Sequence, residues 1–321
     1  MIRLNEVIDS SVEGYKKTRI IQLALEIGLF DHLRKPCNIA SIAKKYGFDE
    51  RLTGLLLENL SDLDLVVSSG GYYLNSEITN KYILKDSQYS QSVRINREFE
   101  TLEKWDQLPK AMKEGGLERK VTMFTDDWIT SIGQWAMCGP IKQTMGILET
   151  AADLKRCRSM IDVGGGHGLY TVAFKERYPN LKCSIFDQPQ IIDVAERNFK
   201  EFGIKVSTQR GDFYEKKIEG TYDLVFASHN RSAMDPYLAE MMSGLVNKGG
   251  FLILRRHATF ERAPLMALEW SLVRSDNKNN EKHQGPFDFN EYVRIMCKKG
   301  LIITYRVMMD NVTELVIFQK S

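Results

Sequence analysis

From residue 157 onward the chain alternates short apolar runs with helical stretches, and this alternation restricts the fold more than any other feature of the sequence. The runs are "CRSMIDV", "LKCSIFD", "IKVSTQ", "YDLVFASH" and "GFLILRR". Helical patterns at about 168–178, 189–202 and 235–247 separate most of them, the last opening on Asp235-Pro236, a good N-cap and first-turn pair. Parallel strands need long crossovers, and a helix is the usual one, so the pattern predicts a doubly wound, mostly parallel α/β sheet. "FNEYVRIMCKKG" predicts a further helix that Gly300 stops, and "LIITYRVMM" and "TELVIFQ" predict a closing antiparallel pair.

The first run leads into "MIDVGGGHGLYTVAF", where Gly164, Gly165, Gly166 and Gly168 crowd into one turn. So many glycines cost conformational entropy unless the backbone must bend sharply or touch something closely. Ligands of open parallel sheets bind at the carboxyl ends of the strands, which is where this turn falls. A phosphate loop would end in Gly-Lys-Ser/Thr, and there is no such lysine. A dinucleotide fingerprint counted from Gly164 needs glycine at 169, where the chain has Leu169, so that reading is weakened. What remains is Asp162-x-Gly164-x-Gly166-x-Gly168.

The first half of the chain reads differently. Residues 16–30 carry apolar groups at helical spacing, Asn38 can cap a short helix that Gly47 ends, and a third helix starts at Asp49. Two β runs around Gly70-Gly71 follow as a hairpin, completing a winged-helix pattern. The third helix would read DNA, but it sets Arg51 against Asp49, Glu50, Glu58, Asp62 and Asp64, so phosphate binding is disfavoured and a packing or dimerisation module is expected. A net charge of +2 implies no attraction to nucleic acid or membrane. No apolar run approaches the roughly 20 residues that span a bilayer, and the N-terminus has no signal-peptide core. Five scattered cysteines read as free thiols of a reducing cytoplasm, and no metal site is expected. Residues 90–150 are helical and rich in aromatics and methionines; Phe124, Trp128, Trp135 and Met145 either line an apolar ligand cavity or form ordinary core.

The acidic-start glycine pattern resembles the first motif of class I S-adenosylmethionine (SAM)-dependent methyltransferases. Nearly the whole chain resembles the plant-type O-methyltransferase family and its bacterial and archaeal relatives. "ALEIGLFDHL", "NIASIAKKYGFDERLTGLLLENLSDLDLV" and "GYYLN" resemble its winged-helix dimerisation domain, "WDQLPKAMKEGG" its inter-domain segment, and "DVGGGHG", "FDQP" and "GDFYE" its cofactor motifs. The resemblance implies an all-α winged-helix domain over 1–95, a helical acceptor-pocket segment over 96–150 and a Rossmann-like SAM domain over 151–321. It also implies a homodimer joined through the N-terminal domains. Gly164, Gly166 and Gly168 would let the methionine portion of SAM approach, with Asp162 near its ammonium. Asp187, with Gln188 beside it, would take the ribose hydroxyls. Gly211, Asp212 and Phe213 would hold the adenine, and Ser228 would complete the cofactor set.

The chain departs from the family where the acceptor is activated. Plant members use a histidine base after the fourth strand, oriented by two glutamates. Counting from Asp223 puts Ser232 at the histidine position; counting back from Gly249-Gly250 puts His229 there. Arg256 stands where the first glutamate belongs, and no glutamate matches the second. An acceptor that is already ionised needs no base, whereas a positioned base typically contributes 10²–10⁴-fold. The expectation is therefore a small, anionic, partly apolar acceptor, with His229 as candidate base and Arg256 as anion anchor. The rival readings are a SAM-binding regulator without catalysis and a methyltransferase acting on a macromolecule.

Overall fold

The computed structural model describes residues 3–118, 125–258, 264–273 and 287–321. The chain divides into two compact units, 1–99 and 100–321.

The first unit contains α1 (Leu4–Glu26), α2 (Leu29–His32), β1 (Cys37–Asn38), α3 (Ile39–Tyr46), α4 (Glu50–Asp62), β2 (Val66–Ser69), β3 (Tyr72–Asn75) and α5 (Glu77–Tyr82). The starts of α3 and α4 are those the sequence marks, whereas the helix expected over 16–30 begins at Leu4 and ends at Glu26. The Asn38 side chain accepts from Ser41 N at 2.9 Å, and Asp49 accepts from Leu52 N at 2.8 Å, each satisfying a first-turn amide. Gly47 ends α3 in the left-handed conformation. Ala24, Leu29, Leu33, Ile42, Leu57, Leu60 and Val66 form the core. The hairpin is wider than expected: β1 pairs with β3, so the sheet has the order β1-β3-β2. Two residues show no periodicity, which is why the sequence did not announce this strand.

Helix α6 (Ser92–Asp106) runs across the division. The second unit continues with α7 (Leu108–Glu114), α8 (Asp126–Met137), α9 (Pro140–Ala151), β4 (Ser159–Val163), α10 (Leu169–Arg177), β5 (Lys182–Asp187), α11 (Pro189–Glu201), β6 (Ser207–Arg210), β7 (Tyr222–Ser228), α12 (Pro236–Gly244), β8 (Val246–His257), α13 (Pro264–Ser271), α14 (Phe289–Lys298), β9 (Leu301–Met308) and β10 (Thr313–Lys320). Seven strands form one sheet in the order β6-β5-β4-β7-β8-β10-β9. The pairs among β4 to β8 are parallel, and β10 runs antiparallel to β8 and β9, as the alternation predicted. Helix α12 ends earlier than expected because β8 starts at Val246, which pairs with Tyr222.

The sheet is covered on both faces, so its central strands read as continuous apolar runs. Leu224, Phe226, Phe251 and Ile253 pack with Met145, Tyr170 and Phe174 on one face. Val225, Ala227, Leu252 and Leu254 pack with Met242, Phe289 and Tyr292 on the other. Each buried Val, Leu, Ile, Phe or Met among them contributes roughly 1.5–3 kcal/mol by leaving water. The period of two continues past Leu254 and sends Arg255 and Arg256 to opposite faces. The strand order reverses between β4 and β7, leaving a crevice at their carboxyl ends beside the glycine turn. No described helix is long and apolar enough to cross a membrane.

Candidate active site

The glycine turn leaves β4 with Gly164 at φ +66° and Gly166 at φ +56°, a region glycine enters without strain. The two positions differ in surroundings. A β-carbon on Gly164 would lie 2.6 Å from Asn230 Nδ2, whereas one on Gly166 would meet nothing within 4 Å. Gly164 is therefore forced by close packing, and Gly166 borders open space. Gly168 caps α10 at φ +71° and abuts Phe199, where a β-carbon would come within 2.6 Å of the ring.

Asp162 sits beneath this turn, 1% exposed. Its Oδ2 accepts from Thr171 Oγ1 at 2.9 Å, and its Oδ1 is buried without a partner. Burial pushes its pKa up to about 7. Asp187 ends β5 and folds back onto the same turn. Its Oδ2 accepts from Gly166 N at 2.8 Å and its Oδ1 from Gln188 N at 2.7 Å. Burial raises its pKa to about 6 against those two amides, which pull it down. Gly211 N donates to Asp187 O at 2.9 Å, and Asp212 Oδ1 accepts from Tyr214 N at 2.9 Å. Gln188 Nε2 stands 3.5 Å from Asp212 Oδ2. Thus Asp162, Gly164, Gly166, Gly168, Asp187, Gln188, Gly211 and Asp212 lie around the carboxyl ends of β4, β5 and β6. Phe213 lies partly buried against the core and edge-on to Tyr214, with centroids 5.1 Å apart.

These residues fit SAM. A buried carboxylate oxygen without a donor suits an ammonium, and the Gly166 turn leaves room for a chain beside it. Asp187 keeps lone pairs beyond its two amide bonds for hydroxyl donors.

The loop after β7 holds the residues expected on the acceptor side. Ser228 ends the strand opposite Arg255 in register. His229 adopts φ +50°, uncommon for a residue with a side chain, and its N donates to Arg255 O at 2.7 Å. Its Nδ1 lies 3.1 Å from His257 Nε2, with the rings 4.2 Å apart, and its own Nε2 is buried without a partner. If Nδ1 donates to His257, Nε2 carries a lone pair free to accept a proton. Burial, then the nearby Arg255 and His257, hold the His229 pKa well below its usual value, so the imidazole is neutral.

Ser232, the other candidate for the histidine position, is fully buried; its Oγ donates to Asn230 Oδ1 at 2.5 Å. Asn230 was not marked by the sequence, yet it ties this loop to the glycine turn. Its Nδ2 donates to Val163 O at 2.7 Å and to Gly164 O at 3.1 Å. The signal was present in the glycine count: Gly164 leaves the space that Asn230 fills. His167 inside the turn is buried and accepts from Leu169 N at 3.0 Å, while α8 lies against it at Gly133.

Arg256 differs from the expectation. It is 3% exposed, pairs with Glu314 Oε2 at 2.5 Å and stacks on Phe289 at 3.7 Å. Glu314 also pairs with Arg306 at 2.6 Å. The strand's alternation turns Arg256 toward α14, where its charge is engaged by Glu314, so it does not serve as the anion anchor. The acceptor-lining set is also dispersed. Trp128 packs with Ile129, Ile191 and Val194, and Met145 lies in the core with Leu148 and Tyr170. Trp135 stands partly exposed beside Arg255, 5.8 Å from the guanidinium carbon to the ring centre. Phe124 lies outside the described residues.

The family of O-methyltransferase domains matches residues 140–253. An uncharacterised protein of Methanocaldococcus jannaschii is 29% identical over 317 residues, covering 93% of this chain and 85% of that protein. Acetylserotonin O-methyltransferase of Rattus norvegicus is 26% identical over 273 residues, covering 77% of this chain and 62% of the enzyme. The Homo sapiens enzyme is 25% identical, covering 83% and 84%. Among solved structures, an O-methyltransferase family protein from Burkholderia thailandensis superposes with TM-score 0.73 at 19% identity, covering 100% of this chain and 99% of that one. Human N-acetylserotonin methyltransferase in complex with SAM superposes with TM-score 0.69 at 20% identity, covering 100% and 99%. The second unit is a Rossmann-like, doubly wound domain, the fold of these solved methyltransferase structures. The chain is similar to these O-methyltransferases, and the O-methyltransferase domain match lies over its residues 140–253.

Proposed function

We propose that the protein is a SAM-dependent O-methyltransferase whose acceptor is a small, partly apolar molecule bearing negative charge. The observation that carries this reading is the Asp162 oxygen left without a donor beneath an open glycine turn, with Asp187 folded onto the same turn. Bound there, SAM would supply a methyl group already activated on a sulfonium. Asp162 would hold the ammonium, Asp187 and Gln188 the ribose, and Asp212 the adenine edge. Ser228 flanks the crevice from the end of β7.

The chain's own work on the acceptor is positioning and proton removal. Methyl transfer is an in-line displacement, so holding the acceptor oxygen in line accounts for much of the rate. An alcohol or phenol must also lose its proton, and His229 Nε2 is the available buried acceptor. In place of the family's glutamates, His257 lies against His229 and can fix its tautomer. The experiment is transfer of labelled methyl from SAM to a panel of phenols, hydroxy acids and carboxylic acids. The reading expects turnover with at least one member and an on-rate of product formation that falls about 10²-fold or more in His229→Ala. Binding of SAM with no transfer to any acceptor would favour the non-catalytic regulator.

The N-terminal unit would serve as a winged-helix dimerisation module. Support comes from the exposed apolar side chains along α1: Leu4, Val7, Ile8, Val12 and Tyr15. Light scattering at the mass of two chains is the expected result.

A further inference from the structure

The carboxyl ends of β7 and β8 hold a cation that forms no ion pair with any side chain among the described residues. Arg255 is 2% exposed. Its Nε is buried without a partner, and its Nη1 reaches Ser228 Oγ only at 3.5 Å. The guanidinium carbon lies 5.8 Å from the Trp135 ring centre and 5.9 Å from that of Tyr170. The Tyr170 hydroxyl is itself buried without a well-formed hydrogen bond. Asp310 is a carboxylate whose charge acts on Arg255, but it is exposed and accepts from Val312 N at 2.8 Å and Thr313 N at 2.6 Å, forming no ion pair with the arginine.

An arginine keeps its proton in a protein, so this charge stays and its burial is costly. Ring faces return only part of that cost. The same short span of sheet carries the unpaired His229 Nε2. A site with a fixed cation, a free lone pair and aromatic walls is incomplete until an anion enters it.

We propose that Arg255 is the acceptor's anchor: it binds a carboxylate carried by the methyl acceptor, and the methylated oxygen is a second group on that molecule, facing His229. This deepens the methyl-transfer reading and rests on it. The guanidinium fork matches a carboxylate with two parallel hydrogen bonds. A phosphate dianion would call for a second cation, and among the described residues the neighbouring Arg256 does not supply it: it is turned to the opposite face and paired with Glu314. Trp135 offers the flat apolar surface beside the fork, which suits an aromatic or other planar acid. Carboxylate binding also has a consequence for His229. Arg255 is one of the charges that disfavour the imidazolium, so neutralising it makes His229 a better proton acceptor once the right substrate is in place. With SAM bound, the acceptor oxygen would form its bond to the methyl carbon as the sulfonium S–CH3 bond breaks and S-adenosylhomocysteine leaves as a neutral thioether, and the hydroxyl proton would pass to the His229 Nε2 lone pair.

The test is binding to the protein loaded with S-adenosylhomocysteine. The probes are 4-hydroxybenzoate, 4-hydroxyphenylacetate and indole-3-carboxylate, each compared with its neutral amide. The proposal expects at least one acid to bind about 10-fold or more tightly than its amide, and Arg255→Gln to erase that preference while S-adenosylhomocysteine affinity stays within about threefold. Arg255→Lys keeps the charge without the fork and is expected to retain part of the preference; it also serves if the glutamine variant does not fold. Equal binding of acids and amides, or a preference that survives Arg255→Gln, would overturn the proposal. Failure of the wild-type protein to bind S-adenosylhomocysteine at all would instead sink the methyl-transfer reading beneath it.

Discussion

Arg255 and Arg256 are consecutive on β8, both almost wholly buried, and they meet opposite fates on the two faces of the sheet. On the α14 face, Arg256 has a carboxylate partner, a ring to stack on and a second arginine sharing the same glutamate. On the face toward α8 and α10, Arg255 has two aromatic rings and a distant serine hydroxyl. The first arrangement satisfies its own charge and is a structural unit. The second leaves a charge unanswered and adjoins the crevice where the strand order reverses. Buried charge is tolerated in a fold when it is paired, and where it is unpaired in a crevice it marks a place for a ligand.

The largest effect expected from breaking this contrast is on the paired face. Glu314→Ala would strand Arg256 and leave Arg306 without its partner, at a cost of about 3–5 kcal/mol. Urea denaturation measures it, and a loss below ~1 kcal/mol would mean that the two arginines are solvated elsewhere. Arg256→Met should cost less, about 1.5–3 kcal/mol, because Arg306 still holds Glu314. Arg255→Met is expected to cost nothing or to stabilise the protein, since it removes a buried cation without a partner. A destabilisation as large as that of Arg256→Met would show that Arg255 is part of the core rather than of a site.

A smaller effect concerns the cofactor side. Asp162 has its pKa raised to about 7 by burial, so the fold favours its protonated form. A group shifted this way penalises the folded state once it ionises. The stability of wild type relative to Asp162→Asn should therefore be constant below about pH 4 and decline as pH rises through about 7. Paired denaturation curves across that window decide it. An ammonium placed on Asp162 would reverse the penalty, so the decline should flatten when SAM is added.

The sequence made the sheet legible because both of its signals are local. Buried parallel strands show as apolar runs, and Gly164, Gly166 and Gly168 announce a turn that other residues cannot make without strain. Asp162, Asp187 and Asp212 stand out for a related reason: each sits within two residues of the carboxyl end of a strand. The acceptor side was less legible. Whether Arg255 or Arg256 faces the crevice depends on strand parity, and an insertion of one residue reverses it. The partnership of His229 with His257 joins residues from two strands, and Glu314 reaches Arg256 from a third. Trp128 and Met145 have the composition of a pocket, but composition does not separate a pocket from a core, and both lie packed among apolar neighbours. Asn230 was missed because asparagine in a loop is common, and its role appears only once the missing β-carbon of Gly164 is set beside it.

The measurement that bears most directly on the whole account is calorimetric titration of S-adenosylhomocysteine into the wild-type protein and into Asp187→Ala. Asp187 is the carboxylate that closes onto Gly166, and the variant removes it without touching the sheet core. The account predicts saturable binding at one site per chain, weakened about 10-fold or more by the substitution. A wild-type protein that fails to bind this ligand, or that binds a nicotinamide dinucleotide in its place, would contradict it.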